Sequence, residues 1–227
     1  MTSRLLLLPN RFFVLTILLL SIILGAYAQD NEILSQEEWN QIRQKEGITV
    51  FTRSNPNMDF KEFKSSMIMI GTLNQFLSVL YDVEGLPSWG YNVKNASLLS
   101  RQGDTIQVYY TEAKAPFPYK NRDGVYLNRF KWNSKERTLI VEIEMPEGMI
   151  PEKDNLVRME GYGSWIVREM NEGKLEITFQ MQMDPGGSIP AWMANMFAGD
   201  TPYQTLLGLR EAMQEKKYQG KSYEFCR

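Results

Sequence analysis

The sequence has no histidine among its 227 residues and a single cysteine, Cys226. Without histidine no Ser–His or Cys–His couple can be built, nor any His-containing zinc site. Acid–base catalysis would have to rest on carboxylates or lysines. One cysteine cannot form an internal disulfide, and Cys226 reads as a tail thiol without a role. An excess of basic charge is also missing. The formal net charge is −2, which gives no electrostatic argument for a nucleic-acid partner. Repeats, low-complexity tracts and interdomain linkers are absent, and no motif calls for a cofactor or a metal. What remains is ordinary globular composition, 43% hydrophobic and 23% charged, in a chain long enough to bury a core without disulfides or metals.

The first segment reads as an address. Arg4 and Arg11 flank an apolar start, Phe12 to Leu24 carries no charge, and Gly25-Ala26-Tyr27-Ala28 offers an A-x-A cleavage site. This is the pattern of a signal peptide over residues 1–28, with Gln29 opening a domain over 29–227. Pro9-Asn10-Arg11 leaves the apolar run short for a membrane span, although an uncleaved anchor is the alternative. The expected location is therefore outside the cytoplasm, periplasmic or secreted. Losing the two arginines moves the formal charge from −2 to about −4.

Ser35-Gln36-Glu37-Glu38 reads as a capping box opening a helix that carries Trp39, Ile42 and Arg43 and stops at Gly47. Strands follow over Ile48–Ser54 and Phe60–Ile70, with Met67 to Ile70 resembling a stretch buried on both faces. Thr72-Leu73-Asn74-Gln75 is a second capping box, before an apolar stripe of Phe76, Leu77, Leu80 and Tyr81. Four strands are expected over Asn92–Ser100, Thr105–Lys114, Arg122–Trp132 and Thr138–Met145. A connection over Pro146–Asn155 leads to two more, Leu156–Met170 and Lys174–Met183. In the last of these Leu175, Ile177, Phe179, Met181 and Met183 face one way, and Glu176, Thr178, Gln180 and Gln182 the other. Asp184-Pro185-Gly186-Gly187 ends the sheet, and Pro190 opens a long helix with a kink expected around Gly199 to Pro202. The layout is α+β: one antiparallel sheet that needs an apolar partner, and a final helix long enough to lie across it. Space between the two could hold a ligand.

Two segments point to a family. Tyr109 to Pro118 followed by Asn121-Arg122-Asp123-Gly124-Val125-Tyr126-Leu127 resembles the central "PFP…NRD.VYL" signature of START domains. Asp184-Pro185-Gly186-Gly187-Ser188-Ile189-Pro190-Ala191-Trp192 resembles their "PGG.IP.W" lead into the C-terminal helix, and Trp89 matches a tryptophan after the second helix. The similarity spans about Glu38 to Tyr218 and looks closest to the phosphatidylcholine-transfer type. It implies a helix-grip fold, a curved sheet wrapped around the long helix, with an internal apolar cavity for one lipid or other hydrophobic molecule. It also implies a gate made by that helix and a loop matched to Pro146–Asn155. An apolar cargo implies transient membrane contact, and a monomer is expected.

Carried over singly, Tyr126 and Tyr162 match aromatic pocket positions and Ser164 a polar one. The buried acid and arginine of sterol-binding members fall at Tyr109 and Asn128, a neutral anchor. Thr111, Phe179, Met181, Trp192 and Met196 complete the expected ligand-binding set. Trp192 could equally serve packing, and any single methionine could be core. The charged pair that cages phosphocholine falls at Leu86 and Gly90, and two of its rings at Thr111 and Gly124. A ligand with a small or uncharged head is therefore expected, with no cation to offset a buried phosphate. Arg122 and Asp123 read as a structural ion pair or turn lock. The alternative function is an enzyme, a cyclase or hydrolase of an apolar substrate, with Glu112, Asp123 and Glu160 as its only candidate acids.

Overall fold

The segment read as the opening helix is a strand. In the computed structural model, which describes residues 38–56 and 58–226, β1 (Asn40–Lys45) pairs antiparallel with β2 (Ile48–Asn55). Glu46 and Gly47 both have positive φ, 53° and 74°. That is the two-residue turn whose twist suits a hairpin. The glycine that signals a helix stop serves a hairpin equally well. Trp39 lies beneath the cations Arg53, at 4.5 Å from its ring, and Lys64, at 4.3 Å. The leader expected over 1–28, the start at Gln29 and the capping residue Ser35 lie outside the described residues.

The chain continues through β3 (Met58–Ile70), α1 (Leu73–Tyr81), α2 (Leu86–Trp89), β4 (Val93–Gln102), β5 (Ile106–Ala113), β6 (Arg122–Asn133) and β7 (Thr138–Met145). Then come β8 (Val157–Arg158), β9 (Glu160–Glu169), β10 (Lys174–Asp184) and α3 (Ala191–Ala212). The sheet order is β1-β2-β3-β10-β9-β7-β6-β5-β4, with β8 added in parallel to β6. The single strand expected over Leu156–Met170 is thus two, divided at Met159. β10 returns from the end of the chain to lie between β3 and β9, so the two halves of the sheet are joined by the last strand.

The second capping box forms as read. Thr72 Oγ1 accepts from the Gln75 N–H, and Gln75 Oε1 accepts from the Thr72 N–H at 2.7 Å. This fixes the start of α1 and turns Phe76, Leu77 and Leu80 into the core, where Phe76 meets Trp165 edge-on at 5.7 Å. Met67 and Met69 are buried beside them, but Ile68 and Ile70 are exposed. The expectation that this stretch is covered on both faces fails because, among the described residues, nothing covers the outer side of β3 at Ile68 and Ile70.

The curved antiparallel sheet grips α3, whose two halves differ. In the second half the inner face of the helix, Leu206, Leu209 and Ala212, is buried, as is Met213 at its end. Gly208 lies so close to α2 that an added Cβ would strike the Trp89 carbonyl. The half before Pro202 presents Ala194, Asn195, Ala198 and Thr201 to open space instead. Pro202 stands at the boundary inside the helix, where its missing N–H removes one backbone hydrogen bond.

Candidate functional site

The space under the first half of α3 is a cavity of about 490 Å³, bounded by the inner face of the sheet, α1 and α2. Four expected residues come together there from adjacent strands. Tyr109 and Thr111 on β5 stand opposite Tyr126 and Gly124 on β6, and Gln107 stands opposite Asn128. The Tyr109 and Tyr126 rings stack at 5.1 Å and 10°. Thr111 hydrogen-bonds the Tyr126 phenol, and Asn128 the Tyr109 phenol. Burial pushes the Tyr126 hydroxyl up to about 12 and raises that of Tyr109 as well. Both phenols therefore stay neutral at physiological pH, as hydrogen-bonding groups rather than charges.

Asn128 is 3% exposed, and its Oδ1 has no hydrogen-bond partner. Leaving a buried acceptor unpaired costs about 1–3 kcal/mol, so a polar group with nothing to bind in an apolar cavity marks a place for one on a ligand. The Trp89 Nε1–H is buried without a partner on the same cavity wall. Phe179 and Met181 on β10 also line the cavity, with Trp165 of β9 stacked on Phe179 at 4.1 Å.

Tyr162 and Ser164 are on the other side of the sheet. Their partners on β10 are Gln182 and Gln180, and residues directly opposite in an antiparallel pair share a face. Tyr162 is 51% exposed. The inner positions of β9 are Gly163, Trp165 and Val167, and a side chain at Gly163 would collide with Met181 and the Gln180 carbonyl. Trp165 was missed. The inward set of β10, legible by alternation, would have found it once the pairing of Phe179 with Trp165 was known. Trp192 is 64% exposed and lies outside the cavity lining. The Met196 side chain lies outside the described residues.

The loop at the cavity is a different one from that expected. Lys114, Ala115 and Pro116, which follow β5, line it together with Arg122, and the next residue, Phe117, is 97% exposed. No residue of Pro146–Asn155 lines it. Ile150 packs instead on Val108, Tyr110 and Val125, on the outer face of β5 and β6. Arg158 pins this loop, donating to the Ile150 carbonyl at 3.4 Å while its guanidinium clasps Asp123 at 2.9 and 3.1 Å. The loop that borders the cavity is therefore the one beginning at Lys114, whereas Pro146–Asn155, expected as part of the gate, does not line it.

Arg122 and Asp123 are not a pair. As neighbours on one strand they point to opposite faces, Asp123 to Arg158 and Arg122 into the cavity wall. There Arg122 donates to the carbonyls of Lys120, Pro185 and Gly186. The three acids weighed for catalysis stand apart from the cavity lining. Glu112 is held by Lys94, Asn95 and Asn121, Asp123 by Arg158, and Glu160 is exposed. The lining acid is Asp82, which accepts from the Tyr218 hydroxyl at 2.7 Å and from Lys217 at 3.3 Å. Cys226 is partly buried against the core, and burial pushes its thiol up to about 12, away from the reactive thiolate form.

An apolar chamber between a curved sheet and a long helix, with a small polar cluster at one end, defines the class of helix-grip lipid-binding proteins. The START domain model matches residues 28–219, and the chain belongs to the START family. A solved STAR-related lipid transfer protein from Xanthomonas axonopodis is 30% identical, with a TM-score of 0.73, over 78% of this chain and 99% of that one. An uncharacterised protein of Pseudomonas aeruginosa is 27% identical over 79% of this chain and 89% of its own length. The phosphatidylcholine transfer protein of Mus musculus is 28% identical over 73% of this chain and 78% of its own.

Proposed function

We propose that this is an exported, non-enzymatic lipid-binding and transfer protein that carries one hydrophobic molecule in the cavity under α3. Membership of the START family and the similarity to a lipid transfer protein support lipid binding. The observation that carries the finer reading is the buried, unpartnered Oδ1 of Asn128 beside Tyr109 in an otherwise apolar chamber. It accepts a hydrogen bond from a hydroxyl at the inner end of the cargo. The phosphocholine reading is disfavoured. Leu86 and Gly90 line the cavity at the positions of the charged pair, and with Tyr162 turned outward, Tyr126 is the single matched ring still in place. Export rests on the leader pattern, and the mature protein is expected to begin at Gln29.

Native mass spectrometry of protein purified from its own host tests the reading. One bound hydrophobic molecule, on a chain starting at Gln29, is the expected result. Phosphatidylcholine as the dominant cargo would overturn the assignment of the head group, and time-dependent conversion of the cargo would favour a cyclase or hydrolase.

A further inference from the structure

The other end of the cavity is cationic. Arg122, Lys114 and Lys61 line it, and none of the three has a carboxylate within ion-pair reach among the described residues. The lining acid, Asp82, is already taken by Lys217 and Tyr218. This positive cluster occurs in a chain whose formal net charge is −2. Arg122 is only 4% exposed, and burying a guanidinium without a counter-charge is costly. Its three carbonyl acceptors use three of its five N–H donors, which leaves two for a further acceptor.

Size and spacing restrict what that acceptor belongs to. On β6, Arg122 and Asn128 are both inward residues, six positions apart. At the rise of a strand this separates them by about 20 Å. A chamber of about 490 Å³ falls in the ordinary size range of small-ligand pockets. An extended chain advances about 1.1–1.2 Å per atom, so about 17 atoms in single file would reach from Asn128 to Arg122. The quaternary ammonium of phosphocholine would find no free carboxylate among the lining residues to face.

We infer that the cargo is an amphiphile with a terminal oxyanion, a carboxylate or a phosphate monoester, seated on the Arg122 guanidinium and steered by Lys114 and Lys61. This rests on the lipid-cavity reading above and supplies the end of the ligand opposite Asn128. Arg122 also holds the loop after β5, through the Lys120 carbonyl, and the turn before α3, through those of Pro185 and Gly186. The anion therefore sits on the residue that fastens the two sides of the mouth together.

The test compares palmitate, its neutral methyl ester and a single-chain lysophosphatidate for binding to delipidated full-length mature protein by titration calorimetry. Charge-assisted hydrogen bonds of this kind give the acid about a 10- to 100-fold preference over the ester. Arg122→Gln should abolish the preference while ester binding persists. Because Arg122 also ties two loops, the exposed pair Lys61→Gln and Lys114→Gln provides an arm that leaves those ties intact, and it should weaken palmitate binding several-fold with ester binding unchanged. Tighter binding of palmitate assigns a carboxylate, and tighter binding of the lysophosphatidate a phosphate monoester. Equal affinity of wild-type protein for acid and ester overturns the oxyanion site and leaves the lipid cavity standing. Failure of all three probes to bind overturns the cavity reading and this inference together.

Discussion

Met181 shows how a single side chain separates cavity from core. It is almost fully buried yet lines open space. Replacing it with tryptophan should fill that space and cut lipid occupancy in native mass spectra more than it lowers the melting temperature. A loss of about 1–3 kcal/mol of stability with occupancy unchanged would mark the position as packed core. Asp82 offers a contrasting case, in which the side chain holds the fold. Burial raises its pKa, but the Tyr218 hydroxyl, Lys217 and the Gly85 N–H together outweigh burial and hold it below the ordinary 3.8. A carboxylate with a depressed folded-state pKa adds stability above its unfolded value and loses it as pH falls through the folded one. Asp82→Asn should therefore destabilise by about 1–2 kcal/mol at neutral pH. Denaturant titrations of the two proteins should converge as pH falls below 3.8 and through the lower folded-state pKa, and a gap that persists at the acid end would mean that the charge of Asp82 is not what stabilises. Both side chains were visible in the sequence, but only the fold distinguishes the wall of a void from a tie between α1 and the C-terminal turn.

At the scale of elements, α3 combines a roof and a plug. The buried face made by Leu206, Leu209, Ala212 and Met213 anchors the helix, whereas the half before Pro202 covers a void and is anchored mainly by Arg43 to Asp200 at 2.6 Å and by the Lys61 N–H to Asn195. Local opening follows the density of buried apolar contacts. Backbone amides of Ala194 to Ala198 should exchange with deuterium much faster than those of Leu206 to Ala212 in lipid-free protein, and slow on lipid binding. Uniform protection along the helix would remove α3 as the moving part. The sequence showed this helix, its start at the Pro-Gly-Gly turn and the proline inside it. Alternation also assigned β10 correctly: Leu175, Ile177 and Met181 are buried and Phe179 lines the chamber. β9 escaped the same reading because its inward positions include glycine, whose missing side chain leaves no periodic signal. β1 escaped because the two-residue turn at Glu46 and Gly47 uses the residue type that also ends helices.

For the molecule as a whole, the proposed function requires the cavity to exchange cargo with a membrane, and two exposed aromatics stand next to elements that line the chamber. Phe117 projects from the loop after β5, and Trp192 from the first turn of α3. Large apolar side chains left in water at such positions suit insertion into a lipid interface. The double substitution Phe117→Ser and Trp192→Ser should slow transfer of a fluorescent fatty acid between vesicles by about tenfold, the effect of losing roughly 1.4 kcal/mol of interfacial affinity. Occupancy at equilibrium should hold. Unchanged transfer would show that membrane contact is made elsewhere.

The sequence alone determined the fold class and the family. Capping boxes, strand alternation and the two signature segments are local patterns, and each is written in residues a few positions apart. The family resemblance, carried over position by position, also pointed to Tyr109, Thr111, Tyr126 and Asn128, which line the chamber. The tertiary structure alone decided which loop borders the chamber, that Tyr162 and Ser164 face outward, and that Arg122 is a buried cation without an acid. Those facts depend on strand register and on which distant segments meet, Arg122 with Pro185 and Asp123 with Arg158. Such pairings are set by the packing of the whole sheet, and no local pattern encodes them.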